Sequence, residues 1–261
     1  MKIKRSYAIT ALAIYTILFA VVYIWFFPAS PQNVAYHNFA DARHLLGIDN
    51  FFNVISNIGF MLAGLWGIYL IFTYRRNTTF VNASERWPYL VFFVGAVLIA
   101  FGSSYYHLNP NNSTILWDRL PMCIDTMAFF LFVFTERVNI RLGLFLTIPL
   151  LIIGMLAPIW WELSEMAGHG DMRLYSWGQI YPITATIIIL LFFSPRYTKG
   201  YYILGSIAWY AGAKFFEHFD VQVYNLTHHI VSGHVIKHLM AAFGMFVIAR
   251  YLMCRKALPI E

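Results

Sequence analysis

The chain has 261 residues, of which 60% are hydrophobic and 11% charged, with a formal net charge of +6. Soluble domains are about a quarter charged, so this composition excludes a soluble enzyme and leaves no sizeable extramembrane domain. The positive balance does not indicate nucleic acid, because most Lys and Arg stand in short clusters between long apolar runs, the pattern of a polytopic membrane protein.

Eight apolar runs of about 20 residues predict spanning helices over 7–27, 53–74, 88–107, 115–135, 142–161, 174–194, 200–219 and 228–252. The expected fold is therefore all-α, a polytopic membrane helix bundle. The first run has a basic start, but its length and the poor cleavage context FFPASPQ read as a retained helix. Connections are short, so neighbouring helices are expected to pack antiparallel. Cys123 and Cys254 fall within spans or at their ends, which predicts no disulfide framework.

Basic residues set the sides. Lys2, Lys4 and Arg5 precede the first run; Arg75, Arg76 and Arg86 follow the second; Arg137 and Arg141 the fourth; Arg196 and Lys199 the sixth; Arg250, Arg255 and Lys256 close the chain. With eight spans all five clusters share one side, which puts both termini in the cytoplasm. The opposite side gathers most carboxylates and histidines, in the 28–52 loop, HLNPNNST (107–114), WELSEMAGHGDMR (161–173) and FDVQVYNLTHH (219–229).

The chemistry concentrates at two helix ends. In the last run, SGHVIKHLMAAFG (232–244) carries His234 and His238 four residues apart, on one helical face. Such a pair offers a metal two imidazoles, and ionisable groups inside a membrane helix point to function. A third imidazole is available from FGSSYYHLNPNNSTILWDRLPM (101–122), where Ser103 and His107 share a face and Asp118–Arg119 open the next span. His107, His234 and His238 around one Zn²⁺, with the fourth position open, would form a catalytic rather than a structural zinc site. Asp118 is then the candidate general base and acid, and Ser103 the candidate oxyanion donor. That is a hydrolase arrangement at a membrane face, with lipid as its natural substrate class. Counted from residue 228, His238 lies about 15 Å into its helix, so the three histidines meet only if the helices are tilted or offset.

Other polar residues have supporting roles. Lys237 is expected to turn away from the metal towards Glu217 or Asp220, while Lys214 and Glu217 could pair with each other instead. Asp125 lies two turns inside Asp118, His228 and His229 start a helix and read as surface residues, and Pro182 interrupts the sixth run. A divalent-metal transporter would want its ligands near the bilayer midplane, and a signalling receptor would want a larger cytoplasmic surface; both remain alternatives to a hydrolase.

The S-x3-H element with the WDRLPM segment, the G-H-x3-H element of the last helix, and FFNVISNIGF (51–60) together resemble the alkaline ceramidases, members of a wider group of seven-helix membrane hydrolases. The resemblance runs from about residue 40 to about 250, and its three motifs stand in family order. It implies a seven-helix core at 53–261, preceded by an extra N-terminal helix at 1–30 and an outer loop at 31–52. It implies zinc on His107, His234 and His238, catalysis by Ser103 and Asp118, and hydrolysis of the amide of ceramide or a related N-acyl lipid to a fatty acid and a sphingoid-type amine. The extra helix and ADARHLLGIDNFFNVISN look closer to the bacterial branch, which implies a bacterial inner membrane. A calcium site seen in the animal enzymes would correspond here to Asp41, Asp49, Asn50 and Asn53, with Asn50 standing about where that family has a glutamate. Arg119, Lys237 and Glu217 are read as supporting charge pairs, the partner as a membrane lipid, and no obligate protein partner is inferred.

Overall fold

The computed structural model describes residues 5–73 and 80–259, with the backbone alone described at Arg5. Lys2, Lys4, Arg75 and Arg76, used above to assign sides, lie outside the described residues. Among the described residues the regular structure is helical, with no strand. The long helices are α1 (Arg5–Phe26), α3 (Ile58–Thr73, preceded by the short α2, Phe51–Ile55), α4 (Arg86–Leu108), α5 (Asn112–Arg137), α6 (Ile140–Met166), α7 (Arg173–Phe192), α8 (Tyr201–His218) and α10 (Gly233–Cys254). The short α9 (Asp220–Leu226) follows α8 directly.

Helix boundaries follow local chemistry. The Asn111 side chain accepts from the Ser113 and Thr114 amides, and Thr114 Oγ1 accepts in return from the Asn111 amide, a reciprocal cap that starts α5 just beyond Pro110. Asn139 caps α6 through the Leu142 amide, and Ser232 caps α10 through the Val235 amide. This last cap corrects the span expected at 228–252. His228 and His229 both adopt left-handed backbone conformations, so the chain turns there and the helix begins only at Gly233.

Among the described residues, six segments are long and apolar enough to cross a membrane: Ser6–Phe26, Phe51–Thr73, Ala83–Leu108, Ile140–Met166, Arg173–Phe192 and Gly233–Cys254. Helix α5 matches them in length and α8 is slightly shorter, and both carry charges, Asp118, Arg119 and Asp125 in α5 and Lys214 and Glu217 in α8. The sequence explains where α5 sits. Its stretch from Phe129 to Phe134 is buried all round, as expected of a helix that is apolar on every face at the centre of a bundle. It packs against α4, α6 and α7, while α10 packs against α8 and α3. Helix α1 stands apart and rests on α7, where Tyr15 stacks on Tyr181 and Thr16 Oγ1 meets the Tyr181 hydroxyl at 2.8 Å. Large apolar side chains such as Ile17, Phe145, Ile148 and Leu191 face outward, an apolar exterior that a water-soluble surface does not carry.

Candidate metal centre

The three histidines meet because two helix ends face each other. His107 occupies the last turn of α4, and His234 the first turn of α10. The late start of α10 places His238 only about 7.5 Å along its helix, which removes the depth mismatch expected from a start at 228. Gly233 permits the approach, since a Cβ there would collide with the Phe216 carbonyl and stand 2.8 Å from the Asp220 Cα. Asp220 then fastens the junction, with one carboxylate oxygen accepting from the His234 amide at 2.7 Å and the other from the Ala40 amide at 2.9 Å.

All three imidazoles are buried, and one ligand atom from each lies within 4.8 Å of the others. The Nε2 atoms of His107 and His234 are 3.3 Å apart. Two nitrogens at about 2.0–2.1 Å on one tetrahedral metal stand about 3.3–3.4 Å from each other, so this spacing fits a shared ion. His238 supplies the second test. Ser56 Oγ lies 3.1 Å from the Asn53 carbonyl and 2.7 Å from His238 Nδ1. A carbonyl only accepts, so the single hydroxyl proton goes to Asn53 and the oxygen accepts from His238 Nδ1–H. This fixes the tautomer and leaves a lone pair on His238 Nε2, a buried atom with no hydrogen-bond partner. The donor set therefore fits a metal ion held by His107, His234 and His238.

The outer loop closes over this group. The Phe39 ring lies 4.6 Å from both His107 and His234, and His37 bridges the Tyr106 hydroxyl and Asn112 Oδ1, each at 2.8 Å. On the other side the site opens into an apolar cavity between the helices. Ser103, Asp118, Lys237 and His238 line one part of its wall, while Phe92, Phe129 and Met245 are among its apolar lining. Ser103 and Asp118 are buried and within hydrogen-bonding reach of each other. The structure thus brings all five expected metal and catalytic residues to one place.

The supporting charges divide differently from the expectation. Lys237 pairs with Glu217 at 2.7 Å, and Lys214 pairs with the same carboxylate at 2.5 Å, so both pairings expected for Glu217 occur together. Tyr36 adds a hydrogen bond to Glu217 at 2.9 Å. Asp220 is engaged with backbone amides rather than with Lys237. Arg119 is not part of a charge pair with Asp118. Its guanidinium is held between the Trp161 ring at 4.1 Å and the Tyr175 ring at 4.5 Å and donates to Gln32 Oε1, because aromatic faces attract a buried cation, while Nη1 is left without a hydrogen-bond partner.

The four residues of the possible calcium set bond to separate partners, and Asn53 Oδ1 is buried without a hydrogen-bond partner. Both Asp41 oxygens accept from Arg43. Asp49 Oδ1 meets His44 Nδ1 at 2.6 Å. Asn50 Nδ2 donates to the His107 carbonyl, and Asn53 Nδ2 donates to the Asp41 carbonyl. These bonds support the loop and the floor of the histidine site. Just ahead of α7, Asp171 accepts from the Arg173 guanidinium, which holds the Asp171 carboxyl below the ordinary value.

Comparison of the chain with protein-family models and with curated proteins finds no match. The residues that sequence reasoning left without a role are Ser56, which orients His238, Phe39, which covers the histidines, and Gln32, which receives Arg119. Ser56 had a signal, since it lies inside the FFNVISNIGF element. Phe39 and Gln32 sit in a loop and carry no periodic pattern that would mark them.

Proposed function

We propose that the chain is a zinc-dependent, membrane-embedded lipid amidase that hydrolyses the amide of ceramide or a related N-acyl lipid to a fatty acid and a sphingoid-type amine. One observation carries the reading: His238, whose Nε2 is buried without a partner, is grouped with His107 and His234 and lines an apolar cavity together with Ser103 and Asp118. His107, His234 and His238 would hold the ion. Zinc bound there supplies Lewis acidity that polarises the amide carbonyl and makes water a stronger acid.

The chain's own groups account for the remaining chemistry. The Asp118 carboxylate takes the proton of the attacking water and delivers it to the departing amine nitrogen. The Ser103 hydroxyl turns to the carbonyl oxygen as that oxygen gains negative charge. Lys237, anchored by Glu217, lines the same cavity as a supporting charge pair. Phe92, Phe129 and Met245 take the hydrocarbon chain and exclude water from it. Burial of this whole set strengthens its electrostatics relative to water.

In this reading all eight long helices span a bacterial inner membrane, with both termini cytoplasmic and the site towards the other face. The clusters at Arg137/Arg141, Arg196/Lys199 and Arg250/Arg255/Lys256 support that orientation. A transporter is less well supported, because the histidines sit at helix ends under a loop. The test is metal content and ceramide turnover on purified wild type and His238→Ala. About one zinc per chain, reduced in the variant together with amide hydrolysis, is the expected result. A folded wild type that holds no metal would sink the reading.

A further inference from the structure

Asp125 has no place in the chemistry above. It lies seven residues beyond Asp118 in α5, which is about 10 Å along the helix, and it lines the same cavity. The residue is buried, with a relative exposure of 6%. Oδ1 is buried without a hydrogen-bond partner and rests on the backbone of Gly95, where an added Cβ would stand 3.0 Å from it. The carboxyl forms no ion pair among the described residues. Gln179 and Tyr210 line the cavity with it, yet Gln179 donates to Cys123 Sγ and accepts from Tyr210 at 3.3 Å each, so neither satisfies Asp125.

A carboxyl left unpartnered in an apolar wall is costly unless something in the cavity bonds to it. Around it the cavity is built for hydrocarbon, so the missing partner is a polar group carried by a hydrocarbon chain. We propose that Asp125 is a specificity-determining residue that accepts a hydrogen bond from a hydroxyl borne part-way along the bound lipid chain. The separation from Asp118 puts that hydroxyl near mid-chain and away from the reacting carbonyl. The lipid class rests on the amidase reading; the hydroxyl preference does not. The hydroxyl could belong to the acyl arm or to the amine arm, and the shared chemistry is a secondary alcohol inside an alkyl chain.

The test has two readouts on the same purified protein. Retention of stearic acid is compared by native mass spectrometry with retention of hydroxystearic acids bearing the hydroxyl at mid-chain or beside the carboxyl. Turnover is compared for N-acyl sphingoid lipids with a mid-chain hydroxyl on the acyl arm, on the base arm, or on neither. Wild type is expected to favour the mid-chain hydroxyl roughly tenfold or more in retention, and in kcat/KM for one of the two arms. In Asp125→Leu the ratio is expected to fall to about one, and in Asp125→Asn, which keeps an acceptor, to narrow to a few-fold. Equal retention of all three acids by wild type overturns the proposal even if no variant folds. So does an undiminished mid-chain preference in folded Asp125→Leu. Hydroxyl-selective retention with no turnover of any lipid refutes the amidase reading and leaves this one standing.

Discussion

Removing a single oxygen at Ser56 tests the centre without touching a ligand. Ser56 Oγ orients His238 through a 2.7 Å hydrogen bond to Nδ1, and loss of such an outer partner typically weakens metal binding about 10–100-fold. The structure places Ser56→Ala at the lower end of that range. The Asn53 carbonyl that receives the Ser56 proton also stands close to His238 and can take the Nδ1–H bond itself. The ring would then rotate slightly but keep its tautomer, so a loss of about tenfold is expected, equivalent to about 1.4 kcal/mol. Ser56 is buried, and the alanine leaves a void smaller than a methyl group, so folding should be little affected. The assay is zinc competition against a chelator of known affinity on purified wild type, Ser56→Ala and His238→Ala. Ser56→Ala is expected between the other two. Zinc affinity in Ser56→Ala within twofold of wild type would refute the assignment of Nε2 as the ligand set by Ser56.

Three further outcomes are expected. Asp118→Asn should retain zinc but lose amide hydrolysis by at least about 100-fold, since it removes the proton acceptor and not a ligand; unchanged kcat would exclude Asp118 from the chemistry. Glu136→Gln should destabilise the fold by about 3–5 kcal/mol, because Arg255 is buried and donates to both Glu136 oxygens at 2.8 and 3.0 Å; thermal or denaturant unfolding in detergent measures it, and a change near zero would contradict the pairing. Asp171→Asn should lower the melting temperature at neutral pH. The folded Asp171 carboxyl is held below its ordinary value, so its contribution is full above the unfolded value near about 3.9 and is lost as pH falls through the folded one; the gap between the two melting curves should therefore close in strong acid, and a gap that widens there would reverse the sign.

Hydropathy alone placed the long helices, because an apolar stretch of spanning length leaves little choice of structure where backbone groups must bond internally. It did not separate α1 from the other spans; that distinction came only from the resemblance, and in the structure α1 rests on α7 with most of its surface exposed. The ends of helices were less legible. Residue 228 looked like a start because His228 and His229 border an apolar run, but left-handed backbone at both and the Ser232 cap delay α10 to Gly233. Five residues of error there produced the false depth problem at His238.

The one-dimensional pattern determined the histidine pair on α10, the S-x3-H element on α4 and the carboxylate opening α5, since helical periodicity forces i and i+4 onto one face. It could not determine which charges pair. Lys237 and Lys214 both reach Glu217, while Arg119 leaves its neighbour Asp118 for two aromatic rings and Gln32. Nor could it show that Asp41 and Asp49 are taken by Arg43 and His44, or that Asp125 Oδ1 is left without a hydrogen-bond partner among the described residues. Each of these outcomes depends on groups distant in sequence competing for one carboxylate or one cation. Periodicity fixes a side chain's direction on its own helix, but only the packing of helices decides which partner arrives.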